Sequence, residues 1–324
     1  MENEKQKGLK PVVIQKTGLA AAERHFKAPA APNTFKFDSF SDFIASLGYS
    51  QLSFEYNEED LVLWVTITPE RPCYTLSLLQ ELNDFHSKLR NHFKGQEYSC
   101  HEALQFLVWK SGIPGIFNLG GDLPYFIELI RAGEKDRLLA YAHSCVEAVF
   151  NNYDNFGLPI VNIALVQGDS LGGGFESVIS SGIIISEKSS QFGLPEVMFN
   201  MFPGMGAFSL LARRFGAVKA EKMILGGRIC SAGELYDMGL IDVVAEDGEG
   251  EQAVNSYIKR HKRGYLSIAA VHQVRKIVTP MTLKELKDIT ELWVETAFKV
   301  SEMDLKKMAR LSSAQEKRLR RSSS

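Results

Sequence analysis

No stretch of eighteen consecutive apolar residues occurs in the chain, which leaves no candidate for a membrane-spanning helix. An excess of one charge is also missing. Against 39 Asp and Glu stand 37 Lys and Arg, a formal net charge of -2, without the basic surplus of a dedicated nucleic-acid binder. Cysteine is scarce: Cys73, Cys100, Cys145 and Cys230 lie far apart, with no zinc or redox spacing. The 7 histidines form no HExxH arrangement, so no metal site is expected. The opening residues, MENEKQKGLK, have no apolar core of a signal peptide. A cytoplasmic protein with reduced, mostly buried thiols is the expectation.

What is present concentrates between Ile160 and Gly206. The run from Ile160 to Val166 is rich in β-branched residues and reads as a buried strand. It leads through Gly168 to Gly172-Gly173-Gly174, and a helix-compatible segment follows from Phe175. Glycines at a strand-to-helix passage let a ligand approach the backbone and leave the first helical N–H groups free for an anion. Glu176 stands just behind them. Glu196 follows Gly193-Leu194-Pro195, after a second apolar run, Gly182 to Ile185. Two carboxylates behind two successive strands can face each other across a pocket, one taking a proton while the other gives one. The plain alternative is two surface glutamates near helix starts, where the dipole favours them.

The 324 residues suffice for one large domain or two modest ones. Residues 1 to about 35 mix charge with Ala and Pro and read as an extension. Leu52 to Tyr56 and Leu61 to Thr68 alternate as hairpin strands around an acidic loop. Helices are expected over Tyr74 to Phe93, Lys135 to Phe150, Phe208 to Phe215 and Val218 to Leu225, and a strand over Leu104 to Trp109. A second glycine turn, Phe117 to Leu123, enters a helix through Pro124, with Asp122 placed to cap or brace it. Ser231 and Glu234 have capping-box spacing, and Leu240 to Val244 reads as a short strand. The chain is helical in pattern from about Glu251 and ends in a basic tail, Lys317 to Ser324. Strand pairs alternating with helices give α/β or α+β, with stacked β-β-α units rather than a doubly wound sheet.

Three blocks resemble the crotonase (enoyl-CoA hydratase/isomerase) superfamily: Phe117 to Leu123, Gln167 to Glu176, and Phe192 to Glu196 with Phe202 to Gly206. Gly227 to Ala232 and Gly239 to Asp242 also fit. The resemblance implies an α/β fold of crotonase-like stacked β-β-α turns, forming a superhelix. The implied layout is an N-terminal extension over residues 1–45, a core with the active site over 46–250, and a C-terminal helical oligomerisation region over 251–324. The wording from Asn118 to Asp122, Gly174-Phe175-Glu176 and Met201 to Gly206 looks most like the diffusible signal factor synthases. Such enzymes dehydrate a 3-hydroxyacyl thioester on acyl carrier protein to a cis-2-enoyl thioester and hydrolyse it to a free unsaturated fatty acid. The family uses no cofactor beyond the carrier protein or coenzyme A of its thioester. Trimers or hexamers, and docking on a sensor kinase, are further implications.

By match to the family, the N–H groups of Leu119 and Gly173 form the oxyanion hole, with Gly120 beside them and Gly121, Gly172 and Gly174 keeping the approach open. Leu171 belongs to the same substrate-binding block. Glu176 and Glu196 are the acid/base pair, with their order undecided. Phe199, Met201, Phe202, Met205 and Phe208 are candidate walls of an acyl channel, and core packing is the plain alternative. Tyr125, Phe126, Leu129 and Ile130 form a second candidate wall. Arg213, Arg214, Lys219, Lys222 and the basic tail are candidate contacts for a carrier's phosphate or acidic surface, or else a solvated face. Arg71-Pro72 sits where the family often has an Arg-Pro pair near the pantetheine.

Three rivals remain. Gly168-Asp169-Ser170-Leu171-Gly172 fits the G-x-S-x-G elbow of a serine hydrolase, with His261 or His272 downstream as base. A coenzyme A-dependent hydratase or isomerase of the same fold would use the same two glutamates. A non-catalytic scaffold would need neither.

Overall fold

A computed structural model describes residues 39–97 and 99–322. Most of the extension expected over residues 1–45 therefore lies outside the described residues. Its last part does not: Phe40–Ala45 already forms a helix, α1, capped by the Ser39 hydroxyl, which accepts the Asp42 N–H at 3.1 Å. Phe40 is buried edge-on against Tyr56, with ring centroids 4.9 Å apart.

The chain continues through β1 (Leu52–Asn57), β2 (Val62–Ile67), α2 (Leu76–His92), β3 (Phe106–Ser111), β4 (Gly115–Asn118), α3 (Leu123–Ala132) and α4 (Lys135–Tyr153). Then come β5 (Val161–Val166), β6 (Gly168–Leu171), α5 (Gly173–Ile179), β7 (Ile183–Glu187), β8 (Gln191–Gly193), α6 (Ala207–Phe215) and α7 (Ala217–Gly226). The last elements are β9 (Ile229–Ser231), α8 (Ala232–Asp237), β10 (Val243–Ala245), α9 (Gly250–His261), α10 (Tyr265–Val278), α11 (Leu283–Ala297) and α12 (Glu302–Ser322).

The expected hairpin is the antiparallel pair β1 and β2. It edges a six-stranded sheet of order β1-β2-β3-β5-β7-β10, whose other pairs are parallel. Every residue of β5 is buried, as a strand covered on both faces requires. Alternation along β2 sends Leu63 and Val65 into the main core and Val62 and Trp64 to the other face, where Val254 of α9 and Tyr265 of α10 cover them.

The second sheet, β4-β6-β8-β9, is the element that periodicity did not reveal. Its strands are three or four residues long, too short for an alternating pattern to register. It converts the expected turns into strands that aim the residues after them. β4 runs into the first glycine block and β6 into the second, and the two lie side by side in parallel. A buried polar network ties the larger sheet to α4 and the end of α5. Trp109 Nε1 and Asn162 Nδ2 both donate to Asn152 Oδ1 at 2.9 Å, and Asn152 Nδ2 donates to Ser180 Oγ at 2.8 Å. Because every member finds a partner, the network fixes register instead of destabilising the core.

The β4–β6 contact depends on Gly168. Its φ is +148°, and a Cβ there would lie 2.1 Å from the carbonyl carbon of Gly115. Gly168→Ala is therefore expected to destabilise the protein by about 3 kcal/mol or more, through overlap and backbone strain. Urea unfolding followed by circular dichroism measures this. An unchanged midpoint would show that the two strands do not need this approach.

Candidate active site

The first glycine block leaves β4 and is laced to the segment before α2. The Leu119 N–H donates to Pro72 O at 2.7 Å, and the Tyr74 N–H donates to Gly120 O at 2.8 Å. Arg71 and Asp122 form a two-pronged ion pair, with Arg71 Nη1 on Asp122 Oδ1 at 2.9 Å. Asp122 also caps α3 through the Tyr125 N–H, so it braces the loop as expected.

The second block turns from β6 into α5 and meets the first directly. A Cβ on Gly120, whose φ is +99°, would stand 3.0 Å from Gly173 N and 3.1 Å from Leu171 O. Only an absent side chain lets the loops come so close.

Glu176 in the first turn of α5 and Glu196 in the single turn Pro195–Phe199 line one cavity. Glu176 is buried, and its Oε1 accepts the N–H groups of Met205 and Ala207 at 2.7 and 2.9 Å. Burial pushes its pKa up to about 7, against the pull of those N–H groups. Glu196 is driven up further in character: burial raises it well above the usual carboxylate range, and the neighbouring Glu176 charge adds to this. Its Oε2 is buried with no hydrogen-bond partner among the described residues. Glu176 therefore holds the negative charge more readily, and Glu196 holds the proton. The Cys145 thiol shares the cavity but is kept protonated by burial, so it is a wall and not a nucleophile.

The structure brings together Leu119, Gly120, Gly121, Gly172, Gly173, Phe199, Met201 and Met205 around these carboxyls. Several other expected residues are placed differently or are already hydrogen-bonded. Of the three expected oxyanion-hole residues, Leu119 has its N–H on Pro72 and Gly120 has its N–H on Asn118 Oδ1 at 2.8 Å. The Gly173 N–H has no partner among the described residues. Leu171 packs into a small cluster with Ile113, Ile116 and Leu119 and does not line the cavity. Phe202 packs on the core without lining the cavity, and Phe208 is 44% exposed on α6. From α3, Phe126 and Ile130 reach the cavity, while Tyr125 and Leu129 do not.

Two arginines that were candidates for a carrier contact or a solvated face are used internally. Arg213 pairs with Glu285 at 2.7 and 2.8 Å, joining α6 to α11. Arg214 donates to the carbonyls of Ser181 and Ile179 at 2.7 and 3.3 Å. Lys219 lies over the Phe215 ring, 4.4 Å from its centroid. Most side chains of the basic tail lie outside the described residues.

The roof went unread in the sequence. Trp293 and Ala297 of α11 and Met308, Leu311 and Gln315 of α12 close the cavity. Their spacings of four, three and four residues place each set on one helix face, a signal hidden by reading this region as an oligomerisation surface. Gln315 Nε2 also donates to Leu119 O at 3.1 Å, tying the roof to the first glycine block. Ser170, the elbow candidate, is fully buried, and its Oγ has no hydrogen-bond partner among the described residues. His272 lies beside Gly182 instead, so the serine has no base.

A sequence model of the family described as enoyl-CoA hydratase/isomerase matches residues 98–317. Similar solved structures include an enoyl-CoA hydratase from Bacillus halodurans, 21% identical over 81% of this chain and 100% of that one, with a TM-score of 0.66. DspI of Pseudomonas aeruginosa is 23% identical over 78% of this chain and 98% of its own, with a TM-score of 0.62. An enoyl-CoA hydratase from Mycobacterium avium subsp. paratuberculosis is 20% identical over 82% and 99%, also at 0.62. At such identities the likeness establishes the fold. No described helix is long and apolar enough to cross a membrane.

The buried carboxyls make stability depend on pH. The folded pKa of Glu176, about 7, exceeds its ordinary 4.5. Its contribution to stability is thus fully present below about pH 4.5 and is lost as pH rises through 7. Wild type is expected to lose about 3 kcal/mol relative to Glu176→Gln between pH 4.5 and 8. Parallel unfolding curves across that range would contradict the burial of a titrating carboxyl.

Proposed function

Because the chain belongs to the enoyl-CoA hydratase/isomerase family, we propose that it adds water reversibly across the C2–C3 bond of an acyl thioester. The observation that carries this reading is the pair Glu176 and Glu196 lining one apolar cavity with unequal hold on a proton.

In the hydration direction, the Glu176 carboxylate takes a proton from the water that attacks C3 of the 2-enoyl thioester. Electrons move to the thioester oxygen as an enolate. The Gly173 N–H is the uncommitted donor at hand to receive that charge. Protonated Glu196 then delivers its proton to C2, giving the 3-hydroxyacyl thioester. Dehydration runs the same steps backwards from the other arrangement, with Glu196 ionised and Glu176 protonated. Either direction needs one proton on the pair, which the mutual repulsion of the two carboxyls enforces.

A second reading rests on the wording of Asn118 to Asp122 and Met201 to Gly206 and on a cavity walled by Met201, Met205 and Met308, suited to a flexible chain. In that reading the substrate is a long 3-hydroxyacyl chain on acyl carrier protein, and the enoyl product is hydrolysed to a free acid. Assay with that substrate against a short enoyl-CoA, with mass spectrometry of the products, separates the two. Free unsaturated acid supports the second reading; thioester products alone support the first.

Glu176→Gln and Glu196→Gln are each expected to lower kcat by about 10²–10⁴ while the far-ultraviolet circular dichroism is unchanged. In wild type, hydration should rise as pH passes through about 7, where Glu176 ionises, and fall again when Glu196 loses its proton. A wild-type rate in either variant, with the fold intact, would refute the assigned roles.

A further inference from the structure

Behind Glu176 lies a second cavity that the proposed reaction does not use. Met205 lines both it and the catalytic cavity. Its walls are largely apolar, from Ile67, Leu82, Trp109, Ala148 and Val149. Most polar groups at its edge satisfy one another. Tyr74 Oη donates to Ser177 Oγ at 2.6 Å, and Asn152 Nδ2 donates to Ser180 Oγ at 2.8 Å and Ser181 Oγ at 3.1 Å.

His86 on α2 is the exception. It is 2% exposed, lines this cavity, and has no partner for either ring nitrogen among the described residues. Phe85, Trp109 and Phe156 pack around it, with ring centroids 4.9 to 6.0 Å away. Burial, aided by Arg90, lowers its pKa to about 3, so at neutral pH the ring is uncharged. A neutral imidazole offers one donor and one acceptor. That pair matches an alcohol, which can accept and donate at once. A carboxylate has no donor and would bring a charge into an apolar chamber, and an ammonium has no acceptor.

Met205 is the partition. Its sulfur packs on Gly173, where a Cβ would lie 2.3 Å from it. An unbranched side chain with three rotatable bonds can swing aside without moving the backbone that holds Glu176. We propose that the cavity behind Met205 receives the far end of an acyl chain and that His86 selects chains carrying a hydroxyl group there. This inference rests on the acyl-thioester reading for the identity of the ligand.

The test is binding, so it stands apart from turnover. Dodecanoate and 12-hydroxydodecanoate are titrated calorimetrically into wild type, His86→Leu and Ala148→Phe, the last filling the cavity from α4. The hydroxy acid is expected to bind wild type about tenfold more tightly than dodecanoate, a gap of the size one well-made hydrogen bond gives. His86→Leu should erase that gap, and Ala148→Phe should weaken both acids. Equal affinities in wild type, or a gap surviving His86→Leu, would overturn the selection. Unchanged binding to Ala148→Phe would place the chain elsewhere. Should that variant fail to fold, a crystal structure of wild type with 12-bromododecanoate decides by the bromine position. Bromine beside His86 supports the proposal; bromine beside Trp293 or in solvent, with only water at His86, overturns it. If no thioester of any length turns over, the catalytic reading fails, and these binding results still stand on their own.

Discussion

Two carboxyl groups enclosed in one apolar cavity cannot both be ionised at neutral pH. That constraint organises this molecule. Glu176 has two main-chain N–H groups on one oxygen, and Glu196 has a buried oxygen with none. The asymmetry sets which group carries the charge. It also explains why the segment from Met205 to Ala207 must arrive where it does. Its N–H groups are the solvation that burial took from Glu176, and Arg213 and Arg214 fix the helix that follows it by reaching Glu285 and the end of α5.

Enclosure comes from distant parts of the chain. The small sheet supplies the floor, because β4 and β6 deliver the two glycine blocks to one point. The roof comes from α11 and α12, more than a hundred residues later. Neither half suffices. An open floor would let water solvate both carboxyls and pull their pKa values back towards ordinary ones. The roof therefore acts on the chemistry as well as on the packing, and Gln315 joins the two at Leu119.

Much of this was legible in the residues. The hairpin, the long helices and the capping box at Ser231 each carry a local signal, and local signals survive without tertiary knowledge. Glu176 and Glu196 stood out because two carboxylates behind two successive strands can face each other across a pocket, and because both fall in blocks that resemble the family. The small sheet escaped because strands of three or four residues show no period. Leu171 and Phe202 escaped because membership in a motif does not say which way a side chain turns; Leu171 packs with Ile113 and Ile116 instead. Arg213 and Arg214 illustrate the same limit for charge. Exposed and buried arginines look alike in sequence, and only the folded chain shows carbonyls and Glu285 waiting for them.

In the proposed hydration, the Leu119 N–H is a candidate oxyanion donor that Pro72 already uses. Its bond to Pro72 O is one of three links that lace residues 71–74 to residues 119–122. A neutral thioester oxygen gains little by competing with a neutral carbonyl for that hydrogen. An enolate is different, because hydrogen bonds to a charged acceptor are about twice as strong. Sharing the hydrogen between Pro72 and the oxyanion, as three-centre bonds allow, favours the second partner only as charge develops. A donor occupied in this way contributes almost nothing to the bound ground state and more to the transition state, which is the difference that accelerates a reaction. In the proposed reaction this lacing makes the Leu119 donor respond to charge, while the Gly173 N–H, which has no partner among the described residues, holds the oxygen in place.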